Sequence, residues 1–412
     1  MDKREVVIIG AGPAGLAAAV ALKKSGVSDL LVVEREKQPG GILRQCIHDG
    51  FGLTRFGETL SGPEYSQRFI QEAEALGAEI LTNATVIDLT SDKVVTVDTT
   101  DGLLEIQAKA VILAMGCRER TRGALAIPGS RPAGVYNAGV AQSYMNLYNK
   151  MVGKNIIIMG SGDIGLIMAR RMTLEGAHVN AVFEILPYPS GLPRNIEQCL
   201  NDYGIPLYLS HSIIDIKGDP RIQSVVAAQV DQDMKFIPGT EKEFPCDTLI
   251  LSVGLIPENE LSIGAGISID GRTKGAVVDE YFQTDVPGIF AAGNVLHVHD
   301  LVDFVSLEAE QMAEGVIRYL EKGFLEAVEI PVEAGYNIGH IIPQKISGRQ
   351  DIKLSLRVQK PAKGCELVIK QGGRRLKSVV MPKAIPAEML QIKLKAEDFL
   401  SKEPVEVMMD EQ

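Results

Sequence analysis

The apolar positions of this chain fall into short runs closed by glycine rather than into long amphipathic stretches. Val6-Val7-Ile8-Ile9 ends at Gly10, and Leu16 to Leu22 follows with little to break a helix. Ile156-Ile157-Ile158-Met159 ends at Gly160, and Leu166 to Met172 follows in the same way. An aliphatic run, a glycine turn and a helix predict βαβ units of a parallel sheet buried on both faces. Residues 110–114, 248–254 and 288–294 predict further buried strands. A helix is predicted over 63–77, where Tyr65, Phe69, Ile70 and Leu76 stand near helical spacing, and others over 141–150 and 304–322. Short segments at 79–81, 85–89, 94–99 and 103–107 are parted by turn residues and predict a three-stranded meander feeding 110–114. A second meander at 207–209, 213–216 and 222–229 feeds 248–254, so the two halves repeat one plan. Beyond Pro331 the pattern alternates in strand fashion, as in 352–358, 366–370 and 390–394. It predicts a small β-sandwich or half-barrel.

The repeated glycine turns carry chemistry. They read Gly10-Ala11-Gly12-Pro13-Ala14-Gly15 and Gly160-Ser161-Gly162-Asp163-Ile164-Gly165, 150 positions apart. One GxGxxG is a weak signal, but each copy here follows a strand and opens a helix. The first glycine makes the turn, the second admits a pyrophosphate, and the third lets helix and strand pack. The helix N-terminus then presents open N–H groups to the phosphates. Glu34 and Glu184 each follow the middle glycine by 22 positions, where a dinucleotide site places its ribose-binding acid. The alternative is two surface glutamates at strand ends. Two such loops imply two dinucleotides, with electrons passing between them.

A length of 412 residues allows two or three domains, and 45% hydrophobic residues support real cores. The net charge of −11 argues against nucleic acid or an anionic membrane as partner. No apolar run approaches the ~18 residues of a membrane span. The chain enters a strand almost at once, which leaves no room for a signal peptide, so a cytoplasmic location is expected. Cys46, Cys117, Cys199, Cys246 and Cys365 form no C-x-x-C pair, and His297 and His299, two apart, are a poor metal case; no metal site is expected.

These motifs, in this order over residues 1 to about 325, make the chain resemble the two-dinucleotide-binding-domain flavoproteins of the pyridine nucleotide–disulfide oxidoreductase group. The resemblance implies an α/β fold with two Rossmann-like domains plus the small C-terminal all-β domain. A split FAD domain would cover 1–120 and 252–330, an inserted NAD(P) domain 121–251, and the β-domain 331–412. It implies FAD at Gly10, Gly12, Pro13, Ala14, Gly15, Glu34, Arg35, Gly41, Val86, Ala114, Met115, Gly116, Gly293 and Asn294. It implies NAD(H) at Gly160, Gly162, Asp163, Ile164, Glu184, Val253 and Gly254. The family's late motif usually ends Gly-Asp; here Asn294 stands in place of the acid. The segment Ala114-Met115-Gly116-Cys117-Arg118-Glu119-Arg120 further resembles a subgroup with the flavoprotein subunits of opine oxidase, hydrogen cyanide synthase and sarcosine oxidase, and the oxidoreductases that accompany glycerol-3-phosphate dehydrogenases. That likeness implies a partner flavoprotein dehydrogenase subunit; a homo-oligomer is the other possibility.

The expected activity is an FAD-containing NADH oxidoreductase that exchanges electrons with a partner or a small acceptor. A carboxylate at 184, with no arginine from 180 to 193, favours NADH over NADPH. Disulfide reductases carry CxxxxC where this chain has only Cys46, with His48 two residues on. Cys46 is either a redox thiol activated by His48, as in NADH peroxidases, or a packed unreactive one. A third reading is a cofactor-binding assembly subunit with little activity alone. His297 and His299 would either bond the flavin or lie in a solvated loop, and Asp300 and Asp303 read as helix caps.

Overall fold

The computed structural model describes residues 1–411. By internal contact the chain divides into two compact units, one of residues 1–117 and 257 onward, the other of residues 118–256.

The first unit is built on a sheet ordered Glu79–Leu81, Leu30–Val33, Asp2–Ile9, Gly102–Leu113, Val94–Thr99, Thr85–Leu89. Val6 to Ile9 pair in parallel with Leu30 to Val33 on one side and with Ala110 to Leu113 on the other. All four are buried, which is why the strand is uniformly apolar. Helix Pro13–Lys24 packs against helices Gly62–Ala75 and Val302–Lys322. In the last of these, Val305, Ala309, Met312, Ala313 and Val316 recur at helical spacing and are buried. Gly102–Leu113 is one strand of 12 residues, not the two expected. Ala108 pairs with Arg4, so the backbone stays extended where a break was anticipated. Its first half closes the antiparallel meander and its second half pairs in parallel with Ile289–Ala291.

The second unit holds a parallel sheet ordered Leu207–Leu209, His178–Glu184, Asn155–Met159, Thr248–Leu251, Val135–Asn137. Its central strand feeds two cores by simple alternation. Ile156 and Ile158 join Leu166, Met168 and Val182; Ile157 and Met159 join Phe183, Val225 and Leu249. A separate antiparallel sheet of His211–Lys217, Ser224–Gln229 and Lys242–Pro245 extends the second core.

The C-terminal strands form sheets of five and three strands. Leu354 and Leu356 of one share a core with Leu367, Ile369, Val405 and Val407 of the other. Strand Arg374–Ala384 lies between the segments 366–370 and 390–394. By contact these strands group with the first unit. No helix among the described residues is long and apolar enough to cross a membrane.

Candidate functional site

The glycines of each loop divide into packing positions and an open one. Gly10 has φ +107°, and a Cβ there would lie 2.5 Å from the Ala114 carbonyl oxygen. Gly160 has φ +102° and backs in the same way on the carbonyl of Ser252. A Cβ at Gly15 would strike the Gly10 carbonyl, and one at Gly165 would lie 2.7 Å from that of Gly160. Gly12 and Gly162 meet nothing within 4 Å. The outer glycines serve the protein's own packing; the middle ones leave the helix end uncovered. Gly12 and Gly162 are also the N-cap residues, and neither helix has a side-chain cap. Their first N–H groups therefore lack the usual side-chain acceptor, which suits an anion. Pro13 opens the first helix, whose first turn carries no acid.

The two glutamates are buried, 6% and 4% exposed, so they are not solvated strand ends. Glu34 accepts the Ala11 N–H through Oε2 at 2.8 Å and the Glu36 N–H through Oε1 at 2.9 Å. Glu184 accepts the Ser161 N–H through Oε2 at 3.1 Å and the Leu186 N–H through Oε1 at 3.0 Å. Each acid thus ties its phosphate loop to the end of the second strand. The same 150-position offset continues further. The Gly40 N–H donates to the Ala11 carbonyl at 2.8 Å, and the Ser190 N–H donates to Ser161 Oγ at 2.9 Å. A Cβ at Gly41 would lie 2.9 Å from Gly12 Cα, and one at Gly191 would lie 2.8 Å from the Ser161 carbonyl.

The second loop is held by residues that sequence reasoning missed. Ser190 Oγ donates to Glu184 at 2.6 Å, and Asp163 accepts from Leu192 N–H at 2.8 Å and Asn195 Nδ2 at 2.7 Å. Asp163 therefore fastens the 190–195 segment. Gly41 and Gly191, at the repeat offset, were the available signal. Ile164 packs at the rim of a core.

The remaining expected positions are dispersed around these loops. Ala114 is buried and donates its N–H to Ile9 at 3.0 Å. Met115 is half-buried, and Gly116 has φ +72°. Gly293, φ +77°, lies against the first helix: a Cβ there would be 2.9 Å from Ala14 Cβ. Asn294 is engaged at both ends, its Oδ1 accepting the His299 N–H at 3.0 Å and its Nδ2 donating to Cys117 Sγ at 3.6 Å. Arg35 is exposed, and Val86 is half-buried in the meander opposite Val97. In the second unit Val253 is half-buried and Gly254 exposed with φ +101°.

Two open alternatives narrow, and one expectation requires correction. Burial pushes the Cys46 thiol up to about 12, which favours the packed, unreactive reading over the redox one. His48 Nδ1 instead bonds the Asp49 carbonyl at 3.0 Å, and its ring lies 4.8 Å from that of Phe51. His297 and His299 are not in a solvated loop. Their side chains are 0% and 2% exposed, and both reach Glu308 of the following helix. Asp300 and Asp303 are not caps: the N-cap of Val302–Lys322 is Leu301 and carries no side-chain bond. Asp303 accepts the Gly52 N–H at 3.0 Å and the Thr54 N–H at 2.7 Å, which pins the 46–60 loop to this helix. Asp300 pairs with Arg357 of the C-terminal strands at 3.2 Å.

The family model for pyridine nucleotide-disulphide oxidoreductase matches residues 4–314. The small chain of an NADPH glutamate synthase from Mycobacterium tuberculosis is 25% identical over 76% of this chain and 66% of its own length. An opine oxidase subunit from Agrobacterium tumefaciens is 28% identical, over 71% of this chain and 61% of its own. The chain thus spans somewhat less than two thirds of either relative. Thioredoxin reductase of Lactococcus lactis superposes with a TM-score of 0.64 at 25% identity, covering 77% of this chain and 99% of that one. The open middle glycines and uncapped helix ends fit two dinucleotides. The chain belongs to the pyridine nucleotide-disulphide oxidoreductase family, a family of FAD-dependent oxidoreductases that use a pyridine nucleotide.

Proposed function

We propose that this chain passes two electrons between NAD(H) and FAD, and onward to or from a partner dehydrogenase subunit or small acceptor. The observation that carries the reading is the duplicate loop: two open middle glycines, two uncapped helix ends and two buried acids, in a chain without a C-x-x-C or CxxxxC dithiol. Bound FAD supplies a two-electron acceptor for the nicotinamide hydride. The protein's work is then placement. Gly12, Ala14 and the helix end behind them would hold the FAD pyrophosphate, with Glu34, Arg35, Gly41, Val86, Ala114, Met115, Gly116, Gly293 and Asn294 around it. Gly162 and its helix end would hold that of the nicotinamide cofactor, with Gly160, Ile164, Val253 and Gly254 around it and Asp163 fastening the adjoining segment. No general base is required for hydride transfer.

The reading includes a preference for NADH. Glu184 places a buried carboxyl group at the loop, and no arginine lies from 180 to 193 to receive a 2′-phosphate. A partner subunit is supported by two relatives whose names mark them as parts of larger assemblies, one a small chain and the other an oxidase subunit. A Cys46-based peroxidase is disfavoured, since a thiol raised to about 12 supplies little thiolate near neutral pH. Reduction of the bound flavin by NADH under anaerobic conditions tests the reading.

A further inference from the structure

His297 and His299 lie between the turn at Gly293–Val295 and helix Val302–Lys322, which carries Glu308. Their Nε2 atoms stand 2.6 Å and 3.3 Å from one oxygen, Glu308 Oε2. One nitrogen of each ring and one carboxylate oxygen lie within 4.8 Å of one another. The other oxygen of Glu308 accepts the Gly293 N–H at 2.9 Å, which fixes the carboxylate from behind. All three side chains are more than nine-tenths buried.

Hydrogen bonds alone leave this cluster incomplete. Each ring spends one nitrogen on Glu308, and Nδ1 of His297 and of His299 have no partner among the described residues. A third ring, His340 from the C-terminal strands, lies 5.6 Å from His297, and its Nε2 is likewise unpartnered. Two rings facing one buried carboxylate oxygen, with a third imidazole beside them, form a donor set for a missing ligand. That ligand is a cation by the chemistry of the donors. Imidazole nitrogens and a carboxylate oxygen are cation ligands. Arg357 is already neutralised by Asp300. Lys353, within electrostatic reach of Glu308, is an opposing charge.

We infer that His297, His299 and Glu308 form a site for one divalent transition-metal ion of the zinc or ferrous class. Two imidazoles and a carboxylate are a donor set that both ions accept. The ion takes a nitrogen from each ring and an oxygen from Glu308, and His340 is the nearest further donor. It joins the Gly293 turn to the last helix, so it acts as a staple whose binding couples to stability. The inference stands apart from the electron-transfer reading and does not depend on it.

The test is the metal content of the purified full-length chain, followed by chelation and titration with Zn²⁺ and, anaerobically, with Fe²⁺. Calorimetry and thermal unfolding are the readouts. About one ion per chain is expected, with a rise in Tm on binding and a loss of roughly a hundredfold or more in affinity for His299→Asn and Glu308→Gln. Lys353→Met leaves the donors in place and tightens binding. The inference fails if the wild-type chain takes up neither ion and shows no Tm shift, a result that needs no variant to fold. It fails equally if one ion binds with unchanged affinity in both ligand variants.

Discussion

Ser161 donates twice to Glu184, through its N–H at 3.1 Å and through its hydroxyl at 2.5 Å to the same oxygen. Ala11 stands at the matching place in the first loop and donates only its N–H to Glu34. The second acid is thereby held in a fixed position at the mouth of its loop. Replacing it by Glu184→Gln keeps the shape and removes the charge. The ratio of kcat/KM for NADPH over NADH is expected to rise about tenfold, roughly 1.4 kcal/mol. An unmoved ratio in steady-state assays would show that Glu184 does not discriminate the 2′-phosphate.

The glycines separate binding from folding. Gly162→Ala places a methyl group in open space, so the chain should keep its Tm while its nicotinamide cofactor Kd rises. Gly165→Ala drives a methyl against the Gly160 carbonyl and should cost about 1–3 kcal/mol. Thermal unfolding and cofactor titration of both variants check this; equal Tm losses would contradict it.

Asp303→Ala removes the acceptor for two backbone N–H groups, at Gly52 and Thr54. The expected cost is about 1–3 kcal/mol for each donor left buried, less where water reaches it. Amide exchange in 46–60 should accelerate while exchange in Val6–Ile9 stays slow.

Asp279 gives a pH signature. Its carboxyl is buried and raised from 3.8 to about 7, against the pull of the Tyr281 and Gln283 N–H groups that it accepts. The folded chain therefore holds this proton more tightly than the unfolded chain. The resulting stability is complete below about pH 4 and is lost as pH rises through 7. Asp279→Asn should flatten the fall in Tm between about pH 5 and pH 8 by a measurable part of its wild-type slope, as read by thermal unfolding across buffers. A slope identical to wild type would sink the assignment.

Cys46→Ser should leave the rate of flavin reduction by NADH within about twofold, since a thiol at about 12 is not poised for redox work. A large loss in a stopped-flow assay would restore the cysteine reading.

The sequence displayed most clearly what local geometry demands. The strands at 6–9 and 156–159, the positive φ at Gly10 and Gly160, and the spacing to Glu34 and Glu184 are all consequences of a turn that only glycine makes. What stayed hidden depends on partners distant in the chain. Asp303 looked like a cap because caps are acids before helices, yet its donors are some 250 positions away. His297 and His299 read as either flavin-bonding or solvated because nothing local shows that Glu308 turns back towards them. The merging of 103–107 with 110–114 depends on pairing with Asp2–Ile9, a contact across about 100 residues. Ser190 and Gly191 were visible only to a reader who extended the 150-position repeat beyond the acids.

The central claim is that this chain binds two dinucleotides and passes electrons between them. Its most direct test is an anaerobic stopped-flow titration of the purified, flavin-loaded chain with NADH, following the visible spectrum. Bleaching of the flavin band by one equivalent of NADH, with no long-wavelength thiolate band, is the predicted result. A flavin that binds but stays oxidised in excess NADH would contradict the account and make the chain a cofactor-holding subunit.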